Sequence, residues 1–301
     1  MPVRRLLAFA AVWFIWGSTY LAIRFAIETL PPWMMAAMRF LSAGSFLDVV
    51  CRWRGAPRPT SAEWRTAAII GVLLPAAGNG TVVWAEGRAP SGVVALLVAT
   101  VPLWLLVLRW RAGGAHTRKA DWVGVALGLA GVALLVSRGA STSGASPAVV
   151  LVMLCGSFSW AYGSLWSRSL PAPRSPLLAA AMEMLAGGTT LVIAALLSGE
   201  WPQLAAAHPS LRSLLSLGYL SIFGSMLAFS AYKYLLATVP PAQVGTYAFV
   251  NPVVAVLLGW TFAGEALAAR TVSAMIVIVM AVVLITFAPG TSPVRVDPVA
   301  E

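Results

Sequence analysis

Long, predominantly apolar runs constrain this chain more than any other feature of its sequence. The run Ala242–Phe262 has no charged residue and is long enough to cross the hydrocarbon core of a bilayer as a helix. Of the 301 residues, 59% are hydrophobic and only 10% are charged, whereas about a quarter of a soluble globular chain is charged. A water-soluble fold has no means of burying so much apolar surface. Because helices bond their own backbone groups inside lipid, the sequence predicts an all-α integral membrane protein.

Ten runs of this kind alternate with short polar loops, which predicts ten transmembrane helices. No small-residue cleavage site follows the first run, so we interpret it as a span rather than as a signal peptide. The ten predicted spans are Leu6–Phe25, Trp33–Val50, Ala67–Trp84, Gly92–Leu108, Trp122–Val136, Ala148–Trp166, Pro176–Leu197, Leu211–Leu236, Ala242–Phe262 and Thr271–Phe287.

The positive charges are distributed unequally between the two sets of loops. The net charge of +10 does not indicate a nucleic-acid partner, because the Arg and Lys residues lie in short loops between apolar runs. Thirteen of them fall on the side of the N terminus, namely Arg4, Arg5, Arg52, Arg54, Arg58, Arg65, Arg109, Arg111, Arg118, Lys119, Arg168, Arg174 and Arg295. Five fall on the other side, namely Arg24, Arg88, Arg138, Arg212 and Arg270. The positive-inside rule therefore predicts that both termini are cytoplasmic.

The second half of the chain repeats the first. FIWGSTY at Phe14–Tyr20 matches FSWAYGS at Phe158–Ser164 with an offset of 144 residues, and the same offset relates Pro31–Gly44 to Ser175–Gly188. The offset grows to 147 in the third and eighth spans and to 150 in the fourth and ninth. We predict two repeats, residues 1–140 and 147–290. Each holds five spans, an odd number, so the repeats must be inverted around a central cavity, as in many transporters.

Two charged residues interrupt apolar spans at equivalent positions of the repeats. Arg39 and Glu183 are related by the offset of 144, and charges at membrane depth are costly and usually functional. Counting about 1.5 Å per residue from each helix start places them roughly 10 Å apart along the membrane normal. Their role is gating or proton coupling, or alternatively structural pairing or snorkelling.

Two further equivalent pairs suggest a site at the centre of the membrane. Trp16 and Trp160 fall near the middle of their spans, although tryptophan concentrates at membrane interfaces. Pro102 and Pro252 deprive the carbonyls of Val98 and Ala248 of their helical partners and predict kinks. Asn251, which precedes Pro252, is the polar neighbour expected near such carbonyls. Ordinary packing of the tryptophans, and a simple kink with Asn251 bonded to a neighbouring helix, are the alternatives.

The candidate cavity residues are aromatic or polar side chains within the spans. Hydroxyl groups near the tryptophans, including those of Ser18, Thr19, Ser157 and Ser159, would add polar contacts in a mostly apolar pocket. The substrate-binding candidates are Trp16, Tyr20, Asn79, Thr100, Trp104, Trp160, Tyr162, Tyr232, Tyr247 and Asn251.

Other residues point to no chemistry. Glu86, beside Arg88, is expected to form a solvated pair in a loop. Cys51 and Cys155 lie in different segments of the chain and predict neither a disulfide nor a metal site. No phosphate-binding loop, nucleophile–base set or cofactor motif occurs. We therefore expect no cofactor, no metal and no enzymatic activity.

Several motifs together resemble one known family. WGSTY in the first span, GNG in the third, APSGVVALLVATVPLW in the fourth, SFSWAYGS in the sixth and YAFVNPVVAVLLGWTFAGE in the ninth occur in this order. The sequence resembles the EamA-type drug/metabolite transporter family, and within it the YedA-like exporter branch. The resemblance implies a bacterial inner-membrane protein whose first, third, fourth, sixth, eighth and ninth spans line the cavity.

The expected function is that of a secondary transporter. The resemblance implies export of small metabolites, with neutral or aromatic amino acids as the substrates, and we expect alternating access in a monomer or weak homodimer. Sugars, nucleotide-sugars or drugs are alternative substrates of the same fold. An integral membrane lipid-modifying enzyme is a rival of another class, but it needs catalytic polar groups gathered at one membrane face. A structural multispan subunit is a third alternative, which the intramembrane charges disfavour.

Overall fold

A computed structural model describes residues 3–112, 119–136, 146–239 and 241–287. Residues 137–140 and 288–290 of the two predicted repeats, and Arg118, Arg138 and Arg295 of the charge count, lie outside these ranges. The principal helices are α1 Val3–Ala26, α2 Pro32–Trp53, α3 Ser61–Glu86, α4 Ser91–Arg111, α5 Lys119–Val136, α6 Pro147–Trp166, α7 Pro176–Leu197, α8 Leu211–Thr238, α9 Tyr247–Ala263 and α10 Ala269–Phe287. Short helices Glu200–Ala205 and Pro241–Val244 precede α8 and α9.

Within the described residues, seven helices are long and apolar enough to cross a bilayer: α1 to α4 and α6 to α8. Shorter apolar stretches occur at Trp122–Gly131 in α5, Val250–Ala263 in α9 and Ala269–Ala281 in α10. The chain is therefore a helical, multi-pass membrane protein.

Polar residues in the loops define where several of these helices begin. The Thr60 hydroxyl accepts a hydrogen bond from the backbone N–H of Glu63, and the Glu63 carboxylate accepts one from the backbone N–H of Thr60. This reciprocal arrangement satisfies two backbone donors at the start of α3. Ser146, Ser175 and Ser210 cap α6, α7 and α8 in the same way through a single hydroxyl each.

Three of the spanning helices contain a π-helical segment. These segments are Ala11–Ile15 in α1, Val72–Asn79 in α3 and Leu220–Leu227 in α8. The segments in α3 and α8 are equivalent in the two repeats, because their positions differ by 148 residues and the repeat offset there is 147. A π segment alters the regular α-helical bonding pattern and often marks a functional site.

The helices α2 and α7 pack against each other through equivalent glycines. Gly44 of α2 faces the backbone of Leu185, and Gly188 of α7 faces Leu41. A Cβ atom on Gly44 would lie 3.0 Å from the Leu185 nitrogen, and one on Gly188 would lie 2.8 Å from the Leu41 Cγ. The later residue of α2 meets the earlier residue of α7, so the two equivalent helices run antiparallel at this crossing.

The contact between α3 and α7 is equally close and is open to a direct test. A Cβ atom on Gly187 would lie 2.6 Å from the Cβ of Pro75. Because overpacking costs about 1–3 kcal/mol, Gly187→Ala should lower the thermal unfolding midpoint measured in detergent. Gly218→Ala is the matched control, since a Cβ atom added there would meet no atom within 4 Å beyond its chain neighbours and its own helix backbone. Its midpoint should be unchanged or slightly higher, because alanine favours a helix by up to about 1 kcal/mol. Equal midpoints for the two variants would contradict the close packing.

Candidate functional site

An aromatic cluster occupies the centre of the bundle and consists of Trp16, Trp160, Tyr232 and Tyr247. The rings of the equivalent residues Trp16 and Trp160 meet edge to face with centroids 5.5 Å apart. Trp16 also contacts Tyr232 at 5.0 Å and Tyr247 at 5.5 Å. Such aromatic contacts stabilise beyond the area they bury. The two equivalent tryptophans therefore contact each other, and the aromatic cluster joins α1, α6, α8 and α9.

Hydrogen bonds fix the orientation of the rings in the aromatic cluster. The Trp16 Nε1 donates to the carbonyl of Gly224, 3.1 Å away in the π segment of α8. The Trp160 Nε1 donates to the Tyr232 hydroxyl at 3.1 Å, and that hydroxyl lies 2.8 Å from the Ser164 hydroxyl. Because the polar atoms of these buried rings have partners, the rings are held in defined positions.

A cavity lies on one side of the aromatic cluster. It is lined by Trp16, Thr19, Tyr20, Ile23, Gly78, Asn79, Val82, Val98, Val101, Met153, Gly156, Ser157, Trp160, Tyr247 and Asn251. Its volume is about 50 Å³, measured to the centres of water-sized spheres. One water needs roughly 10–15 Å³ on this measure, so the cavity holds about four waters or a substrate group of similar size.

The equivalent helices α1 and α6 line this cavity on opposite sides of their tryptophans along the chain. Helix α1 contributes residues that follow Trp16 along the chain, whereas α6 contributes residues that precede Trp160. The cavity therefore lies toward the C-terminal end of α1 and the N-terminal end of α6. A smaller cavity of about 10 Å³ lies beside Ser164, Tyr232 and Tyr247. The aromatic cluster contributes residues to both cavities.

Of the ten predicted binding residues, six line the larger cavity: Trp16, Tyr20, Asn79, Trp160, Tyr247 and Asn251. Tyr232 lines the smaller cavity and belongs to the aromatic cluster.

Three predicted residues line neither cavity. The Thr100 hydroxyl donates to the carbonyl of Leu97 in its own helix, at 2.6 Å. Trp104 packs edge to face on Phe158, with centroids 5.3 Å apart, and Tyr162 stacks on the other side of that ring. Tyr162 is 39% exposed on the outside of the bundle. It follows Trp160 by two residues, which turns it roughly 200° away around the helix.

Sequence reasoning missed several apolar residues that line the larger cavity, including Met153, Val98 and Val101. Apolar side chains in a span resemble those that face lipid. A helical period offered a signal, because Met153, Gly156 and Ser157 precede Trp160 by seven, four and three residues and share its face.

Asn251 connects α9 to the π segment of α1. With its amide oriented to satisfy its hydrogen bonds, the side-chain nitrogen donates to the carbonyl of Trp13 at 2.7 Å and to that of Val12 at 3.3 Å. Asn251 therefore bonds the neighbouring helix, as in the alternative interpretation, rather than the Ala248 carbonyl. It also lines the larger cavity.

The two equivalent prolines have different structural consequences. Helix α4 is interrupted at Ala99 and Thr100, and Pro102 lies at the start of its second part. Helix α9, by contrast, is continuous through Pro252 from Tyr247 to Ala263. The interruption in this region falls earlier, between the short helix Pro241–Val244 and α9. That interruption precedes Pro252 by nearly two turns, and the kink predicted at Pro252 stays a prediction.

The two intramembrane charges have separate partners and do not pair with each other. The Glu183 carboxylate accepts a hydrogen bond from the Lys233 ammonium at 2.7 Å, and both side chains are buried. The Arg39 guanidinium donates from Nε to the Ser225 hydroxyl at 2.7 Å and from Nη1 to the Asn79 amide oxygen at 3.2 Å. Thus Glu183 has a structural ion partner, whereas Arg39 has neutral partners and contacts a residue of the cavity wall.

Two equivalent arginines hold equivalent loops. The Arg24 Nη1 donates to the carbonyl of Ala89 at 3.5 Å, and the Arg168 Nη1 donates to the carbonyl of Val239 at the same distance. We call the contact of Arg24 with Ala89 the Arg24 clasp and the contact of Arg168 with Val239 the Arg168 clasp. Burial, with a contribution from Arg109, lowers the pKa of Arg168.

Among the described residues, acidic side chains accompany only the first of the two clasps. Glu265 lies 3.8 Å from the Arg24 Nε and also accepts a hydrogen bond from the backbone N–H of Ser91. Glu86 is fully buried and accepts from the Ser91 hydroxyl at 2.9 Å. The expected solvated pair of Glu86 with Arg88 is wrong, because Arg88 turns away and stacks on Trp84.

Within the part of the chain that the structure describes, no group of three or more His, Cys, Asp or Glu side chains could hold a metal ion. The described cysteines, Cys51 and Cys155, are not joined in a disulfide.

Comparisons with known proteins place this architecture in a family. The model of the EamA-like transporter family matches residues 4–137 and 147–287. The uncharacterized inner membrane transporter YedA of Escherichia coli (strain K12) is 46% identical over 289 residues, which cover 96% of this chain and 92% of that protein. Protein PecM of Dickeya dadantii is 26% identical over 275 residues, or 90% and 88% of the two chains.

A solved crystal structure has a similar fold, with a TM-score of 0.67 at 20% sequence identity, and the match covers 94% of this chain and 97% of that one. The two matches to the family model span most of the chain and include α1 to α10. This chain belongs to the EamA-like transporter family.

Proposed function

We propose that the protein is a secondary transporter that exports small metabolites, with neutral or aromatic amino acids as its substrates, across the bacterial inner membrane by alternating access. The observation that carries the proposal is the position of the larger cavity. It lies inside the bundle beside the aromatic cluster and is lined by residues from both repeats, such as Trp16 and Trp160. Membership in the family supports transport in general, and the name of the Escherichia coli relative supports the inner membrane.

The proposed topology has ten spans in two inverted repeats with both termini in the cytoplasm. The shorter apolar helices α5, α9 and α10 would cross together with the seven longer ones. The antiparallel crossing of α2 and α7 at Gly44 and Gly188 supports inversion, because inverted equivalent helices must run in opposite directions. The excess of positive charge in the loops on the N-terminal side supports the orientation.

The two cavities next to the aromatic cluster support alternating access. In the proposed topology the larger cavity lies toward the outer face and the smaller one toward the cytoplasm. Exchange of the roles of equivalent helices would shrink the first and enlarge the second. Substrate could then pass from one to the other as the aromatic cluster rearranges.

Flux through proteoliposomes tests the proposal. Vesicles containing the full-length protein would be loaded with a panel of radiolabelled amino acids, sugars and other small metabolites. We expect efflux of one or more amino acids at rates well above those of protein-free vesicles, and a lower rate for Asn251→Ala, which loses its bonds to α1. Absence of flux for every compound in both directions would overturn the transport proposal. Flux of sugars without amino acids would instead favour the alternative substrate class.

A further inference from the structure

The buried guanidinium of Arg39 has no acidic partner. Arg39 is only 2% exposed, and no carboxylate among the described residues forms an ion pair with it. The equivalent acid of the second repeat, Glu183, is bound to Lys233 at 2.7 Å. An uncompensated buried charge is costly, so a negatively charged group that reached Arg39 would be strongly stabilised.

A hydrogen bond links the Arg39 guanidinium to the wall of the larger cavity. The Nη1 of Arg39 donates to the Oδ1 of Asn79, which lines the cavity. This bond fixes the amide orientation, and the Nδ2 of Asn79 has no hydrogen-bond partner among the described residues. Its two N–H groups are therefore available to an acceptor in the cavity, and the guanidinium bound to Oδ1 makes them better donors.

The second terminal nitrogen of Arg39 lies next to the cavity wall. A Cβ atom on Gly224 would lie 3.0 Å from the Arg39 Nη2 and 3.0 Å from the Thr19 Cγ2. Thr19 lines the cavity. Since both atoms lie 3.0 Å from one point, Nη2 is at most 6.0 Å from the Thr19 methyl carbon, and Gly224 places no side chain between them. Nη2 likewise makes no hydrogen bond to any described residue.

We infer that the larger cavity binds the carboxylate of its substrate, with Asn79 as the direct donor and Arg39 as the positioning charge behind it. This inference rests on the proposed transport function and specifies its substrate class. A carboxylate fits a cavity that holds about four waters, and hydrogen bonds to charged groups are stronger than neutral ones. The cavity in this conformation holds the carboxylate and the atoms next to it, so the apolar remainder of a larger substrate would enter between Val98, Val101 and Met153 as these walls move apart.

Four compounds with the same phenyl ring test the inference. L-Phenylalanine and 3-phenylpropionate carry a carboxylate, whereas L-phenylalaninamide and 2-phenylethylamine do not. Equilibrium binding of each radiolabelled compound to the purified full-length protein would be measured. Because a hydrogen bond to a charged group contributes about 1.5–3 kcal/mol, the two carboxylates should bind roughly tenfold or more tightly than the other two. Comparison of the two carboxylates shows whether the ammonium group is also recognised.

Variants assign the preference to Arg39. Arg39→Gln should remove the difference between the two classes of compound, and Asn79→Asp should do the same by pairing its own carboxylate with Arg39. The second variant keeps the test decisive if the first does not fold. Arg212→Gln removes the same charge from a site near Glu28 and Phe25, outside the cavity, and should retain the preference.

Three outcomes would each overturn the inference. They are tight binding of the amide or the amine, a preference for carboxylates that survives in Asn79→Asp, and failure of all four compounds to bind. Transport of other panel compounds under those circumstances would leave the proposed function intact. Absence of all flux would remove the proposed function and the inference together.

Discussion

Transport should be lost when Trp16 is replaced by alanine, and this is the largest functional effect that the structure leads us to expect. The indole contacts Trp160, Tyr232 and Tyr247 and donates to the Gly224 carbonyl. Its removal would leave a hole between the two cavities and free a carbonyl of the α8 π segment. Truncation of a large aromatic side chain typically lowers the free energy of unfolding by about 3–5 kcal/mol. Without the indole, the remaining rings of the aromatic cluster would no longer be held in defined positions. Substrate efflux from proteoliposomes measures the effect.

Trp104→Ala is the matched control, because Trp104 packs on Phe158 and lines neither cavity. It removes an indole of the same size from the same bundle and should retain efflux. Trp16→Phe keeps a ring but loses the N–H donor, and we expect an intermediate rate. Equal efflux from Trp16→Ala and Trp104→Ala, at matched amounts of folded protein, would show that the aromatic cluster does not take part in transport.

The largest effect on stability should come from breaking the buried pair of Glu183 and Lys233. Removing one partner of a buried ion pair costs about 3–5 kcal/mol, because the other charge remains in a medium of low dielectric constant. Lys233→Leu and Glu183→Leu should each lower the free energy of unfolding by about this amount. The double variant should be less destabilised than either single variant, since apolar pairs often replace buried ion pairs without loss.

Unfolding in mixed detergent and dodecyl sulfate micelles provides the free energies for this double-mutant cycle. Additive losses in the double variant would contradict the direct interaction at 2.7 Å. The same double variant also tests coupling. If it accumulates substrate under an imposed pH gradient as the wild type does, Glu183 does not carry the coupling proton.

The sequence was sufficient to predict the helical membrane fold and seven of the ten predicted spans, and it singled out residues that the structure brings together at the candidate site. Trp16 and Trp160 could be paired because the repeat offset relates them, and equivalent residues near a symmetry axis are brought together. Asn251 could be singled out because an amide is rare in an apolar run. These predictions depended on periodicity and polarity, which are properties of the chain itself.

The partners of individual side chains could not be predicted in the same way. Arg39 and Glu183 are equivalent, yet one binds neutral groups and the other binds Lys233. Their separation along the helices was calculable, but the choice of partner depends on how α8 is rotated. The π segment Leu220–Leu227 changes that rotation and has no proline to mark it. Glu86 was misjudged for a related reason, because a residue at a helix end can be buried by a loop that returns over it.

The unequal clasps of Arg24 and Arg168 have a consequence for transport kinetics. Glu265 lies beside only the Arg24 clasp. If the clasps open in turn as the proposed carrier alternates, the two facing states of the empty carrier would differ in free energy and one of them would predominate. On the side of the membrane faced by the less populated state, few carriers can bind solute. Half-saturation on that side therefore requires a higher solute concentration. For a carrier without a coupled ion, the maximal rate must rise in the same proportion at that face. The ratio of maximal rate to half-saturation concentration then remains equal in both directions, and net flux follows the solute gradient.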